Sequence, residues 1–409
     1  MMRAWLLDKA RRCRRFLSAE ISVSTWFRTV VLSVTGSLAF CALAAFCVDP
    51  CLRYDKPPFL KPYYKDPYRM VPSLLMYREY DSLVAGTSMC MNFSLADVRT
   101  CLKWKAPLKI TAPGCHSATF RLFVDRAYRY RALRHVLCSV YLLWLDNPPG
   151  SHHVALEPFL YDRSFVSECS YLLNGDVVFG AVGETVLANF RRDARLNPDL
   201  MFGLRDVAHR VSCGGSRVMQ ELMALKTTAG GSEETRDENN KSAVDRMLGN
   251  VRRDIIPLVR EHPETEFLFF FPPYVNIKWA ECLAAGTLPT LLAAKEAIAE
   301  ELCACPNVTV FDFQADVALV TDPNQYKDAV HYSPEVSRRL LEDMGTGRFK
   351  CCAADVRRSS DLIAELARKA LRQYRPDLVS AASRCSADAA HIMSARREAQ
   401  GRDRAASGL

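Results

Sequence analysis

One long apolar block and two periodicities organise the chain. The block is Val30–Val48 (VVLSVTGSLAFCALAAFCV), which holds no charged residue. At 1.5 Å per residue, about nineteen residues of helix cover the hydrocarbon core of a bilayer. Inside lipid only a helix satisfies its own backbone polar groups in a single segment. The block therefore predicts one transmembrane helix over 30–48. Beyond it, apolar runs of strand length alternate with stretches of helical spacing. Ser82–Ala85 and Leu108–Thr111 read as short strands. Val136–Leu145 (VLCSVYLLWL), Phe267–Phe271 and Val308–Phe313 are continuous apolar runs, the pattern of strands covered on both faces. Helices are expected from about Ser94, with Asp97 in the first turn, and from Ser117 to His135, where Phe120, Phe123, Ala127 and Tyr130 recur at helical spacing. Two more are expected, from about Leu288 to Cys303 and from Pro334. This rhythm predicts an α/β domain built on a parallel sheet of about five strands.

The segments between these elements set the organisation. Residues 146–266 are far longer than an ordinary crossover, so an insert is expected around 150–245. Within it, Thr227–Lys241 (TTAGGSEETRDENNK) reads as a polar low-complexity loop and the rest as helices capping the sheet edge. Residues 49–78, rich in Pro and Tyr up to Arg69, read as an extended linker along the membrane interface. The domain proper then covers 79–350. Residues 351–409 form a helical or disordered tail, Ala/Ser/Arg-rich after about Arg375 and read there as frayed helix or disorder.

Composition narrows the class. With 409 residues and 49% hydrophobic content there is material for a sizeable core, but not for a multi-span membrane protein. The net charge of +8 gathers at the ends, with Lys9, Arg11, Arg12, Arg14 and Arg15 before the apolar block and Arg396, Arg397, Arg402 and Arg404 after the domain. The first cluster is a topology signal that places residues 1–29 in the cytoplasm and the domain outside. Solvated tails account for the rest, and no nucleic-acid partner is expected. A cleaved signal peptide ending near Ala42-Leu43-Ala44 is the alternative, but the basic segment is long and the apolar run exceeds the usual 7–15 residues. Of sixteen cysteines, thirteen lie beyond the block without CxxC spacing, so zinc sites are excluded. In an oxidising compartment some of these would pair, with at least one left over because the number is odd. His152-His153 lack a further ligand at suitable spacing, and neither a GxxxxGK[ST] nor a GxGxxG phosphate loop occurs. No metal or cofactor is expected.

The chemistry concentrates at two places. Ser88 follows the first strand directly, in Gly86-Thr87-Ser88. In an open parallel sheet, ligands bind beyond the C-terminal strand ends. A glycine there lets the chain turn sharply and project the hydroxyl. A serine needs a base to become a nucleophile, although strand-end serines are commonly helix caps. Late in the chain, Asp328 and His331 stand three apart in YKDAVHYS, just before the helix at Pro334 and its candidate cap Ser333. That spacing lets the carboxylate fix one imidazole nitrogen while the other faces outward.

The conjunction of strand–GTS–helix early and DxxH after the last strand resembles the SGNH (GDSL-like) hydrolase and acyltransferase superfamily, over roughly Asp81 to Leu341 without the insert. FFFPPYVNIKW (Phe269–Trp279), VFDFQ (Val310–Gln314) and YKDAVHYS are similar to phrases in a membrane-anchored, uncharacterised bacterial group of that superfamily. The resemblance implies a flavodoxin-like three-layer α/β/α sandwich with Ser88 as nucleophile, His331 as base and Asp328 as its orienting acid. Thr87 stands where the family has Asp. The implied oxyanion hole comprises Gly114, after the second strand, and Asn147, after the third, where the family's GxND glycine is missing. Apart from the resemblance, Tyr274 at the end of the fourth strand and His116 near Gly114 are candidates to line the substrate site, with core packing the alternative for Tyr274 and a helix-start histidine the commoner reading of His116. The implied activity is a serine esterase or O-acyltransferase acting on acylated envelope glycans, with the lipid bilayer and a membrane acyl-transfer protein as further partners. The architecture is also similar to that of envelope proteins of teichoic acid D-alanylation and alginate O-acetylation. A non-catalytic envelope scaffold that keeps the fold is the alternative.

Overall fold

The computed structural model describes residues 22–202 apart from 56 and 58, residues 218–220 and 223, and residues 233–379. The basic segment 1–21 and the chain after 379 lie outside the described residues. The apolar block belongs to a longer helix, α1 (Val23–Val48), whose first turn is capped by the Ser22 hydroxyl accepting from the Thr25 N–H. It is long and apolar enough to cross a membrane, and almost none of it is buried by the rest of the protein. Its N-terminal extension over the expected 30–48 comes from Trp26 and Phe27, which continue the apolar surface before Arg28.

The expected linker is instead packed structure. Arg53, Tyr64, Tyr68 and Met70 are buried, and α2 (Pro67–Tyr77) begins with Asp66 as cap and Pro67 at its first position. Proline is suited to that position because its ring fixes φ and no N–H is needed there. Five parallel strands follow: β1 (Ser82–Ala85), β2 (Pro107–Lys109), β3 (His135–Ser139), β4 (Glu266–Phe271) and β5 (Val308–Asp312). A short antiparallel β6 (Lys350–Cys351) closes one edge, giving the order β2-β1-β3-β4-β5-β6. Between β1 and β2 lies α3 (Leu95–Cys101), and between β2 and β3 lies α4 (Ser117–Tyr128). The insert contributes α5 (Phe165–Leu172), α6 (Val182–Arg191) and α7 (Glu233–Asn250), then α8 (Ile256–Glu261) leads into β4. α9 (Asn276–Ala284) and α10 (Leu288–Cys303) connect β4 to β5, α11 (Pro334–Gly345) precedes β6, and α12 (Ala353–Tyr374) follows it. The polar stretch 227–241 is helical from Glu233 onward; its earlier residues lie outside the described ones.

The sheet is where the core sits. β4 has neighbours on both sides, and Phe267, Phe269, Phe270 and Phe271 are all buried, as a strand covered on both faces requires. Successive side chains alternate between faces, so Phe267 stacks with Phe269 while Phe270 meets Phe93 and Phe313. Residues 351–379 also belong to this body: α12 buries Val356, Ile363, Ala367, Ala370 and Leu371 along one face against α9 and α10. Their helical spacing defines the packed face, so this part of the expected tail is a docked helix. Among the described residues every cysteine is a free thiol, so the expected disulfide pairing is not found there.

A buried ion pair ties these last elements together. The Lys295 ammonium on α10 donates to the Asp312 carboxylate at 2.8 Å and to the Ser359 hydroxyl at 2.9 Å. Lys295→Met would leave Asp312 as an unpaired buried charge. It is expected to lower the unfolding free energy by about 3–5 kcal/mol, read as a lower urea midpoint. Lys295→Met with Asp312→Leu should recover most of that loss.

Candidate active site

β1 delivers its chain into a tight turn. Gly86 has φ +105°, a conformation L side chains rarely adopt, and a Cβ there would lie 3.0 Å from Cys138 Sγ on β3. Thr87 is fully buried; its hydroxyl accepts from the Met89 N–H at 3.3 Å and lies 3.3 Å from the Ser139 hydroxyl. Thr87 is thus used inside the protein, holding the turn to β3. Ser88 comes next, half-buried, at the start of a single helical turn. The loop after it is pinned from below. Lys109 on β2 is fully buried and donates to the carbonyls of Met91 and Phe93, both at 2.9 Å. Burial pushes its ammonium down to about 7. Gly86→Ala is expected to cost about 1–3 kcal/mol through backbone strain alone, visible as a lower midpoint in thermal unfolding.

The second half of the site arrives from the loop before α11. Asp328 Oδ1 accepts from the backbone N–H groups of Val330 at 3.0 Å and His331 at 2.8 Å, which folds the loop on itself. The same carboxylate meets His331 Nδ1 at 2.8 Å from Oδ2 and 3.0 Å from Oδ1. A carboxylate only accepts, so Nδ1 carries the proton and Nε2 is left as acceptor. Ser88 Oγ lies 2.9 Å from that Nε2, 243 residues away in sequence. The Tyr332 hydroxyl donates to the Met89 carbonyl, locking the two loops together. Burial pushes the Asp328 carboxyl up, but the His331 side chain, its charge and the two backbone N–H groups outweigh burial and hold it at about 2.

The remaining expected residues fall into two groups. Gly114 has φ +63°, and among the described residues no acceptor pairs with the backbone N–H of Ser88 or Gly114. His153 lies directly over Gly114, where a Cβ would come within 2.8 Å of its ring. His116 stands beside it, edge-on to His153 at 5.7 Å between ring centres and 3.0 Å from the Ser151 hydroxyl. Burial lowers the His116 pKa, and the neighbouring His153 and His152 add to this, while Ser151 opposes it. Asn147 departs from expectation. The apolar run Val136–Leu145 is not one strand: β3 ends at Ser139 and Leu142–Leu145 form a helical turn. The Asn147 amide donates to the Trp144 carbonyl at 2.5 Å, closing that turn, and its own carbonyl accepts from Asn250. Among the described residues its side chain makes no hydrogen bond to Ser88 or His331. Tyr274 is buried, packed against Tyr141 and Trp279, so it backs the site rather than lining an open mouth.

Tyr141 is the residue the sequence reading passed over. Burial raises its pKa; Lys278 opposes this, and the nearby Asp328 charge adds to it. It lies two residues past the end of β3, where a strand-end side chain is suited to face a ligand. That position was masked by the apparent continuity of the apolar run. Among the described residues no group of three or more His, Cys, Asp or Glu side chains is arranged to hold a metal ion. No known family model matches the chain, and no curated protein matches it in sequence.

Proposed function

We propose that this chain is a membrane-anchored serine esterase or O-acyltransferase of the SGNH type, acting on acylated glycans of the cell envelope. The observation that carries the reading is the unbroken relay from Ser88 Oγ to His331 Nε2 and from His331 Nδ1 to Asp328. The strand order supports it: the parallel strands run β2-β1-β3-β4-β5, the flavodoxin-like order, and Ser88 stands where that order reverses. In the proposed reaction Ser88 Oγ attacks the acyl carbonyl while His331 Nε2 takes its proton. Asp328 holds the imidazole in the required tautomer and stabilises the imidazolium. The backbone N–H groups of Ser88 and Gly114 receive the tetrahedral oxyanion. Collapse breaks the ester C–O bond, His331 protonates the departing alcohol, and the acyl group remains on Ser88. Water or a sugar hydroxyl, deprotonated by His331, then releases it as acid or as a new ester.

The helix α1 supports an anchor, with the N-terminus in the cytoplasm and the domain outside. The non-catalytic scaffold is favoured by one observation: the Asn147 amide is turned to Trp144, so the hole lacks its side-chain donor. The two readings part in a direct assay. Purified full-length chain in detergent is given p-nitrophenyl acetate, with and without an oligosaccharide acceptor. Turnover supports the enzyme, and acetylated oligosaccharide identifies transfer. Absence of both, with the relay geometry intact, leaves the scaffold.

A further inference from the structure

The insert does more than lengthen the crossover. Seven of the twelve exposed large apolar residues outside α1, among the described residues, fall between Phe165 and Phe190. Phe165, Phe179 and Phe190 are each more than 80% exposed. The pattern in α6 is inverted for a soluble surface, since it buries Thr185 and Ala188 while exposing Val186, Leu187 and Phe190. Such a concentration of exposed apolar side chains in one segment marks an interaction surface.

Its occupant follows from what the patch is attached to. The insert packs on the last two turns of α1 through a small core of its own, in which Ala45 and Cys51 meet Leu160, Tyr171 and Val177. Asp49, which ends α1, accepts from the Tyr171 hydroxyl at 2.9 Å. The Arg53 guanidinium is buried and bonds Glu168 on α5 at 2.9 Å. The anchor's end and the insert are therefore one body. With 26 residues, α1 is about 39 Å long, against a hydrocarbon core of about 30 Å. With 30–48 across that core, residues 23–29 are the surplus at the cytoplasmic end, and the last turn of α1, where the insert packs on Ala45, falls at the outer boundary of acyl chains and headgroups. Arg191 and Arg192, both exposed, follow Phe190 directly and are suited to reach lipid phosphates.

We propose that α5, α6 and the turn between them form a collar that lies in the outer interface of the bilayer, with Phe165, Phe179 and Phe190 inserted among the acyl chains. This rests on the reading of α1 as a membrane anchor. The collar has a consequence for the site. Ser151, bonded to His116, and His153, over Gly114, belong to the same insert, and the collar follows them in the chain from Phe165. The rim of the site is thereby held at a fixed position over the membrane surface.

The test uses the full chain in vesicles of phosphatidylcholine and phosphatidylglycerol carrying a diazirine lipid, with cross-linked peptides mapped by mass spectrometry. Labelling is expected on α1 and also on peptides from 165–190. The variant Phe165→Glu/Phe179→Glu/Phe190→Glu changes only exposed side chains, so it should fold, keep the α1 labels and lose those on 165–190. Labels on α1 with none on 165–190 in the parent would overturn the collar and leave the anchor standing. If the triple variant in that case also dissociates an oligomer, the patch is a contact between copies. No label on α1 would remove the anchor, and the collar with it.

Discussion

Replacing Ser88 by alanine is expected to reduce ester turnover by about four to six orders of magnitude, because serine and histidine act as one unit and losing either removes the covalent route. The effect should fall on kcat, with the protein's stability nearly unchanged. Ser88 is half-buried and its hydroxyl has His331 as partner, so removing it leaves an imidazole nitrogen that solvent can satisfy. A stability loss without a turnover loss would mark Ser88 as a turn residue and nothing more. Spontaneous hydrolysis of the activated ester sets the floor of the assay, so the comparison is made against buffer.

Asp328→Asn is expected to lower kcat by about 10⁴-fold while leaving the loop in place. The asparagine oxygen can still accept from the Val330 and His331 N–H groups. Its amide N–H, however, would face Nδ1 and force the proton onto Nε2, the nitrogen that must accept from Ser88. The variant therefore separates geometry from tautomer. Stability gives a second readout. The folded carboxyl is held at about 2, below its ordinary 3.8. A depressed acid contributes stability that is fully present above the unfolded value and lost as pH falls through the folded one. The parent's advantage over Asp328→Asn in a denaturation series should thus be constant above pH 3.8 and vanish as pH falls towards about 2.

How much of this was legible in the sequence depended on which local signals had a unique physical meaning. Gly86-Thr87-Ser88 after a short strand and Asp328-x-x-His331 before a proline-initiated helix each have capping or turn alternatives on their own, but their conjunction leaves few, and the structure brings Ser88 and His331 within 2.9 Å. The ten-residue run Val136–Leu145 has two, since a continuous apolar stretch is consistent with strand or buried helix. Its break at Ser139 displaced Asn147 from the site and concealed Tyr141. Proline caused the misreading of 49–78: Pro67 starts a helix behind the Asp66 cap, where the composition suggested extended chain. The tail expected over 351–409 is helical from Ala353 to Tyr374, and the apolar face of α12 packs that part into the body. β6 is only two residues long, which leaves almost no side-chain signal. The exposed apolar side chains of the insert were invisible for another reason, because exposure of Phe165, Phe179 and Phe190 is a property of packing and not of pattern.

The most direct measurement of the central claim is covalent. A fluorophosphonate transfers its phosphorus to an activated serine oxygen and loses fluoride, leaving a stable adduct that needs no knowledge of the natural acyl group. Full-length protein treated with it and digested should carry a single phosphonyl mass on the peptide containing Ser88, and His331→Ala should abolish the adduct while leaving Ser88 itself intact. An adduct that persists undiminished in Ser88→Ala, or an unlabelled parent whose His331 and Ser88 are shown to be in contact, would contradict it.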